Sequence, residues 1–144
     1  MNAVCIYNWT WALSIGWILW ILYLIASFLF CFTVIGLYYV EKIWHLSHYV
    51  LMPFNKEIII DESTDRSSTE YIIISVVWVP FGGILLILAH AALGIAFLAS
   101  VILIPFGAEN MRMLNVVSVP FAAKWRYLSS EELEHIELWP NIPR

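Results

Sequence analysis

The sequence predicts an all-α integral membrane protein made of two repeats in the same orientation, and three observations carry that expectation. The 144-residue chain is 62% hydrophobic, 16% aromatic and only 12% charged, far too little polar surface for a soluble domain of this size. Two stretches, Ala12 to Ile35 and Tyr71 to Gly107, carry no charge apart from the neutral side chain of His90. Each exceeds the ~18 residues that mark a membrane-spanning helix. Finally, residues 72–121 slide back by 67 positions onto residues 5–54 without a gap. Trp78 then falls on Trp11, Gly83 on Gly16, Ser100 on Thr33, Pro120 on Pro53 and Phe121 on Phe54. A shared layout of Trp, Gly and Pro at one offset predicts a duplicated intramembrane unit.

The chain divides into membrane repeat 1 (1–54), a loop (55–71), membrane repeat 2 (72–121) and an acidic tail (122–144). The opening MNAVCIYNWTW lacks a basic n-region and a small-residue cleavage site, so the first apolar run is expected to be retained. Each run, at about 37 residues, makes a helix of roughly 55 Å against a hydrocarbon core of about 30 Å. One straight crossing per run fits poorly. Each run is therefore expected to be a hairpin of short or re-entrant helices, or one crossing plus an interfacial helix.

Lys and Arg are absent before residue 42 and fall in the middle loop (Lys42, Lys56, Arg66) and the tail (Arg112, Lys124, Arg126, Arg144). The positive-inside bias puts both regions in the cytoplasm, which requires an even number of crossings between them. This predicts four crossings with the N-terminus inside, and leaves three crossings with an outside N-terminus as the alternative. In the second run the expected breaks are Pro80 with Gly82 and Gly83, then Gly94; the first run offers only Gly16 and Gly36.

After each run comes an amphipathic stretch, EKIWHLSHYVLM (41–52) and AENMRMLNVVSV (108–119), both read as interfacial helices stopped by a proline. Ile43, Leu46 and Val50 mark the apolar face of the first. The loop opens with a β-prone KEIII and continues as a polar linker. In the tail, Ser130 is placed to cap a helix over SEELEHIEL, with Trp139, Pro140 and Pro143 ending it.

The segment ILIPFGAENMRMLNVVSVPF resembles the signature of the YccF family of bacterial inner membrane proteins. The residues that carry the likeness are Pro105, Gly107, Pro120 and Phe121 in copy two and Pro53 and Phe54 in copy one. The resemblance implies two tandem copies of a short membrane domain, each closing on a Pro-containing motif, across residues 5–121. It also implies a bacterial inner (plasma) membrane location. Copy one departs from the pattern with Leu37 and Tyr38 where copy two has Ile104 and Pro105. Asn55 and Ala122 stand where a glycine is expected after Pro-Phe.

Among residues that could carry chemistry, His90 is the ionisable side chain of the second apolar run, and the offset sets Tyr23 opposite it. Ionisable groups at membrane depth line a water-filled path or bond across helices. Glu109 and Arg112 are spaced for an i, i+3 ion pair, which in a ring of subunits would select ions at a cytoplasmic mouth. His90, Tyr23, Glu109 and Arg112 are thus the pore or gate candidates. Gly83, Gly94, Ala99 and Ser100 are the candidates for close helix packing. Glu41, His45 and His48 share a helical face at i, i+4 and i+7, but without a further ligand they are read as interfacial residues and not as a metal site.

Two cysteines in apolar surroundings, Cys5 and Cys31, argue against a disulfide framework, and the net charge of −4 argues against a nucleic-acid surface. No nucleophile-and-base pattern, phosphate-cradling loop or carboxylate pair points to an enzyme, and no cofactor is expected. The functional expectation is a small homo-oligomeric ion channel or pore gated from the cytoplasmic side, with a membrane-permeabilising effector as a variant. The alternative is a non-conducting scaffold or accessory subunit in the bilayer. That scaffold would dock a cytoplasmic partner through 55–71 and 122–144.

Overall fold

The structure, a computed structural model, describes residues 3–136; its helices and strands run in the order α1 (Ala3–Trp11), α2 (Trp17–Cys31), α3 (Val34–Leu51), β1 (Lys56–Ile60), α4 (Thr69–Trp78), α5 (Ile84–Ala99), α6 (Ile104–Ser118), β2 (Ala123–Tyr127) and α7 (Ser130–Ile136). The expected helix end at Trp139, Pro140 and Pro143 lies outside the described residues.

Neither apolar run turns back at its expected break. Val4–Cys31 and Thr69–Ala99 are each one continuous helix, long and apolar enough to cross a membrane. The expected break at Pro80, Gly82 and Gly83 is instead a five-residue π turn, Val79–Gly83, and a second π turn occupies Ala12–Gly16, 67 residues earlier. Trp17 donates its N–H to the Ala12 carbonyl and Ile84 to the Val79 carbonyl, each five residues back. Proline normally breaks a helix because its ring collides with the carbonyl four residues earlier and its donor is missing. The wider π turn gives the ring room and absorbs the lost donor without ending the helix. Gly94 also lies inside α5 and breaks nothing. At 1.5 Å per residue the 28-residue helix measures about 42 Å, longer than a hydrocarbon core of about 30 Å and close to the roughly 40–45 Å that includes the headgroup regions.

The hairpins form one step later than expected. The chain reverses at Phe32–Thr33, where Thr33 is extended (φ −89°, ψ 138°), its hydroxyl accepts from the Gly36 N–H at 2.8 Å and α3 begins. Ser100, 67 residues on, adopts the same backbone (φ −96°, ψ 116°) and ends α5. Thus α3 folds back along α2, and α6 along α5. The expected interfacial helices 41–52 and 108–119 are the distal parts of α3 and α6, not separate elements.

Two indole bonds tie each long helix to the end of its returning partner. Trp11 Nε1 donates to the Val50 carbonyl at 2.8 Å, and Trp78 Nε1 to the Val117 carbonyl at 3.2 Å. The first residues of each pair and the second residues are again 67 positions apart. Gly16 and Gly83 exist to admit these indoles. A Cβ at Gly16 would lie 2.7 Å from Trp11 Cδ1, and one at Gly83 3.1 Å from Trp78 Nε1.

β1 pairs antiparallel with β2, with Ile58 opposite Trp125 at the centre. The KEIII strand was expected; its partner in the tail was not, since AKWRY shares no residue with KEIII and lies past the last position where the two halves resemble each other. The pair lies along α3. Trp125 Nε1 donates to the His45 carbonyl at 2.8 Å, Lys56 Nζ to the His48 carbonyl at 2.7 Å, and Lys42 Nζ to the Phe121 carbonyl at 2.6 Å. Ser129, not Ser130, caps α7. Its hydroxyl accepts from the Glu132 N–H while the Glu132 carboxylate accepts from the Ser129 N–H, a reciprocal box at spacing i, i+3.

The core between the layers is aromatic and aliphatic: Trp11, Leu19, Phe30, Ile43, Leu46, Ile74, Trp78, Leu86, Met113 and Phe121 are buried. The outward surface of the long helices and of the corners is apolar too. Val101 and Ile102 are 84% and 87% exposed and Tyr38 82%, an arrangement that needs lipid or protein and not water around it.

Candidate functional site

The four candidate gate residues fall into two buried clusters of one chain. In the first, the Tyr23 hydroxyl lies 3.2 Å from His90 Nε2, and His90 Nδ1 lies 2.9 Å from Asn110 Oδ1. The Asn110 amide nitrogen donates to the Phe106 carbonyl at 2.9 Å, which leaves Oδ1 as the acceptor. This sequence of roles fixes the imidazole: Nδ1 carries the proton for Asn110, and Nε2 accepts from Tyr23. His90 and Asn110 are 0% exposed and Tyr23 1%. The neutral histidine is therefore fully satisfied inside the chain and faces no open path. The pairing of Tyr23 with His90 joins α2 to α5, and Asn110 adds α6.

In the second cluster, buried Glu109 accepts from the Tyr49 hydroxyl at 2.5 Å and from Arg112 at 2.9 Å, with Arg112 the half-exposed member. Burial pushes the Glu109 carboxyl above its usual range, outweighing the pull of Arg112 and of the Tyr49 bond. Tyr49 joins α3 to α6 and was not foreseen, because one tyrosine in an aromatic-rich chain carries no mark of its own. Asn110 was also missed, although a signal existed. It shares the face of Phe106, Met113 and Val117 at i−4, i+3 and i+7, a polar residue set in an apolar stripe.

The packing candidates divide. A Cβ at Gly94 would meet the Met111 side chain at 2.6 Å, so Gly94 does let α5 approach α6. Gly107 does the same from the other side, against Leu98. Gly83 faces its own helix's Trp78, and it is Gly82 that meets another helix, 2.7 Å from the Ala26 Cβ. Ala99 is exposed and Ser100 sits at the corner, because the helix ends there. Pro53 and Pro120 follow α3 and α6 and end them, Pro105 stands in the first turn of α6, and Phe54 and Phe121 cover Trp11 and Trp78 edge-on.

Outside the core, His45, His48 and Lys56 line a groove of about 420 Å³ between α3 and β2, with Trp44, Trp125 and Tyr127 around it and Leu51 and Met52 at its apolar end. The His45 ring stacks on Trp125 at 4.7 Å, and Lys56 Nζ lies 4.4 Å from the Trp125 ring centre. Burial lowers His45 below the usual histidine range, and the neighbouring His48 and Lys56 lower it further. Burial also brings Lys56 down to about 8. Among the described residues no group of three or more His, Cys, Asp or Glu converges as a metal site.

Residues 6–56, which run from α1 to the first residue of β1, match the sequence model of the YccF family, an inner membrane component domain. No curated protein and no solved structure matches the chain. The family match and the two long apolar helices point to a membrane location.

Proposed function

We propose that this protein is a membrane-anchored scaffold that presents one charged docking surface to a cytoplasmic protein. In this reading two same-orientation helix-pair repeats sit in the bilayer of the bacterial inner membrane. The observation that carries it is the β1–β2 ladder. It fastens the middle loop to the tail, so that two segments far apart in sequence make one surface. Lys124 pairs with Asp61, and Arg126 with both Glu57 and Glu132, which bind the loop, the strands and α7 together. Support for the repeats comes from the recurrence at one offset of the π turns, the indole bonds, the corners and the strands. Both strands leave their helices into the same layer, which favours parallel over inverted copies.

The test is crosslinking in native membranes. One stoichiometric partner is expected with the intact chain and none with Trp125→Pro, which removes a ladder position while the membrane helices remain. Recovery of the same partner with the broken ladder would overturn the reading.

A homo-oligomeric channel is the second reading, favoured by the line from half-exposed Arg112 through Glu109 to Tyr49, which runs from the polar layer into the core. A conduit would lie between subunits, since Tyr23, His90 and Glu109 bond to side chains of the same chain. Conductance of reconstituted liposomes that changes ion selectivity with Arg112→Gln would establish it over the scaffold.

A further inference from the structure

We propose that the groove between α3 and β2 is a binding site for the phosphate headgroup of an anionic phospholipid. Three basic side chains, His45, His48 and Lys56, converge on one side of it. Among the described residues none of them forms an ion pair; the nearest acidic influence is Glu41, one turn before His45. Lys56 is only 7% exposed, and its ammonium is held by the His48 carbonyl and the Trp125 face, a geometry that keeps a cation in place without neutralising it. His48 Nδ1 is occupied by the Trp44 carbonyl, which leaves Nε2 for a ligand. Lys56 is the cation of the groove and has no ion-pair partner among the described residues, and an anion seated beside it and the two imidazoles supplies that counter-charge.

The rest of the groove says which anion. Leu51 and Met52 give its far end an apolar wall suited to the glycerol and first methylenes of a lipid, and Trp44, 50% exposed, stands where an interfacial tryptophan meets headgroups. A free phosphate has no use for that wall. The acidic groups of the strand layer, Asp61, Glu57 and Glu132, are engaged by Lys124 and Arg126.

Native mass spectrometry of the full chain in detergent, titrated with phosphatidylglycerol or phosphatidylcholine, tests the proposal. One phosphatidylglycerol is expected to be retained in preference to phosphatidylcholine. One basic group near a lipid surface contributes about 1 kcal/mol, so His48→Gln and Lys56→Met are each expected to weaken retention about fivefold. His48→Gln alters an exposed side chain and keeps the test alive if Lys56→Met misfolds. Arg66→Gln, which removes an equal charge from the exposed loop, is expected to leave retention unchanged. Equal retention of the two lipids, or an equal loss with Arg66→Gln, overturns the site. Displacement of the lipid by millimolar glycerol phosphate overturns the lipid assignment in favour of a soluble phosphate ester.

Discussion

His90 is held from both ring nitrogens by groups on two other helices, and that determines what its loss does. His90→Leu strands the Asn110 carbonyl oxygen and the Tyr23 hydroxyl in an apolar core, where an unpaired polar group costs about 1–3 kcal/mol. Denaturation in detergent is expected to show that loss, and Tyr23→Phe added to His90→Leu is expected to cost less than the two changes separately. Strict additivity would mean that the 3.2 Å contact carries no coupling. Glu109 makes a second prediction through its raised carboxyl. A group whose folded value lies above the unfolded one, here 4.5, stabilises fully below 4.5, and that contribution fades as pH rises through the folded value. The melting temperature of the native chain minus that of Glu109→Gln is therefore expected to fall as pH rises above 4.5; parallel profiles would count against a buried carboxylate. The equivalent depth of Tyr23 and His90 in the two copies was legible from the offset, though not that they touch. Their partners were not, since a hydrogen bond from Asn110 or Tyr49 depends on which face of α6 meets which helix, and spacing within one helix does not state that.

At the level of elements, composition predicted the two apolar runs and the Pro-Phe motifs predicted the ends of α3 and α6, whereas run length argued against the single long helix that each run contains. The corners were misplaced because Pro80, Gly82, Gly83 and Gly94 in the second run, and Gly16 and Gly36 in the first, were read as the breaks. Within the helix Val79–Gly83 they serve other ends: Pro80 sits in a π turn, Gly83 clears the indole of Trp78 and Gly82 clears Ala26. The actual corners fall at Thr33 and Ser100, hydroxyl residues that the offset had aligned without revealing their extended backbone. This division of labour predicts unequal costs. Gly82→Ala sets a methyl 2.7 Å from the Ala26 Cβ and from the Trp78 ring and is expected to cost about 1–3 kcal/mol. Gly83→Ala faces Trp78 Nε1 at 3.1 Å and is expected to cost less. Ala26→Gly is expected to restore part of the loss in Gly82→Ala and none of it in Gly83→Ala, as read by thermal melts.

Across the whole molecule, the contacts that join the two halves are few in kind and spread from one face to the other. They include the strand ladder, the Tyr23–His90 contact, the Tyr49–Glu109 bond, the packing of Phe30 on Trp78 and Phe121, and the Lys42 bond to the Phe121 carbonyl. The link between the halves is the polar stretch 61–68, where Asp61 and Asp65 accept from Ser63 and Ser67; beyond these turns Asp61 reaches the tail, its N–H donating to the Ala122 carbonyl and its carboxylate pairing with Lys124. A covalent connection there contributes effective concentration and no packing. Cutting the chain between residues 64 and 65 and coexpressing 1–64 with 65–144 is therefore expected to give a complex that copurifies in detergent. Ile58→Pro, opposite Trp125 at the centre of the ladder, is expected to reduce its yield. His90→Leu is expected to do the same from the opposite layer. If the pieces insert but separate, the loop holds the halves together and the matched spacing of 67 residues reflects two independent units lying side by side.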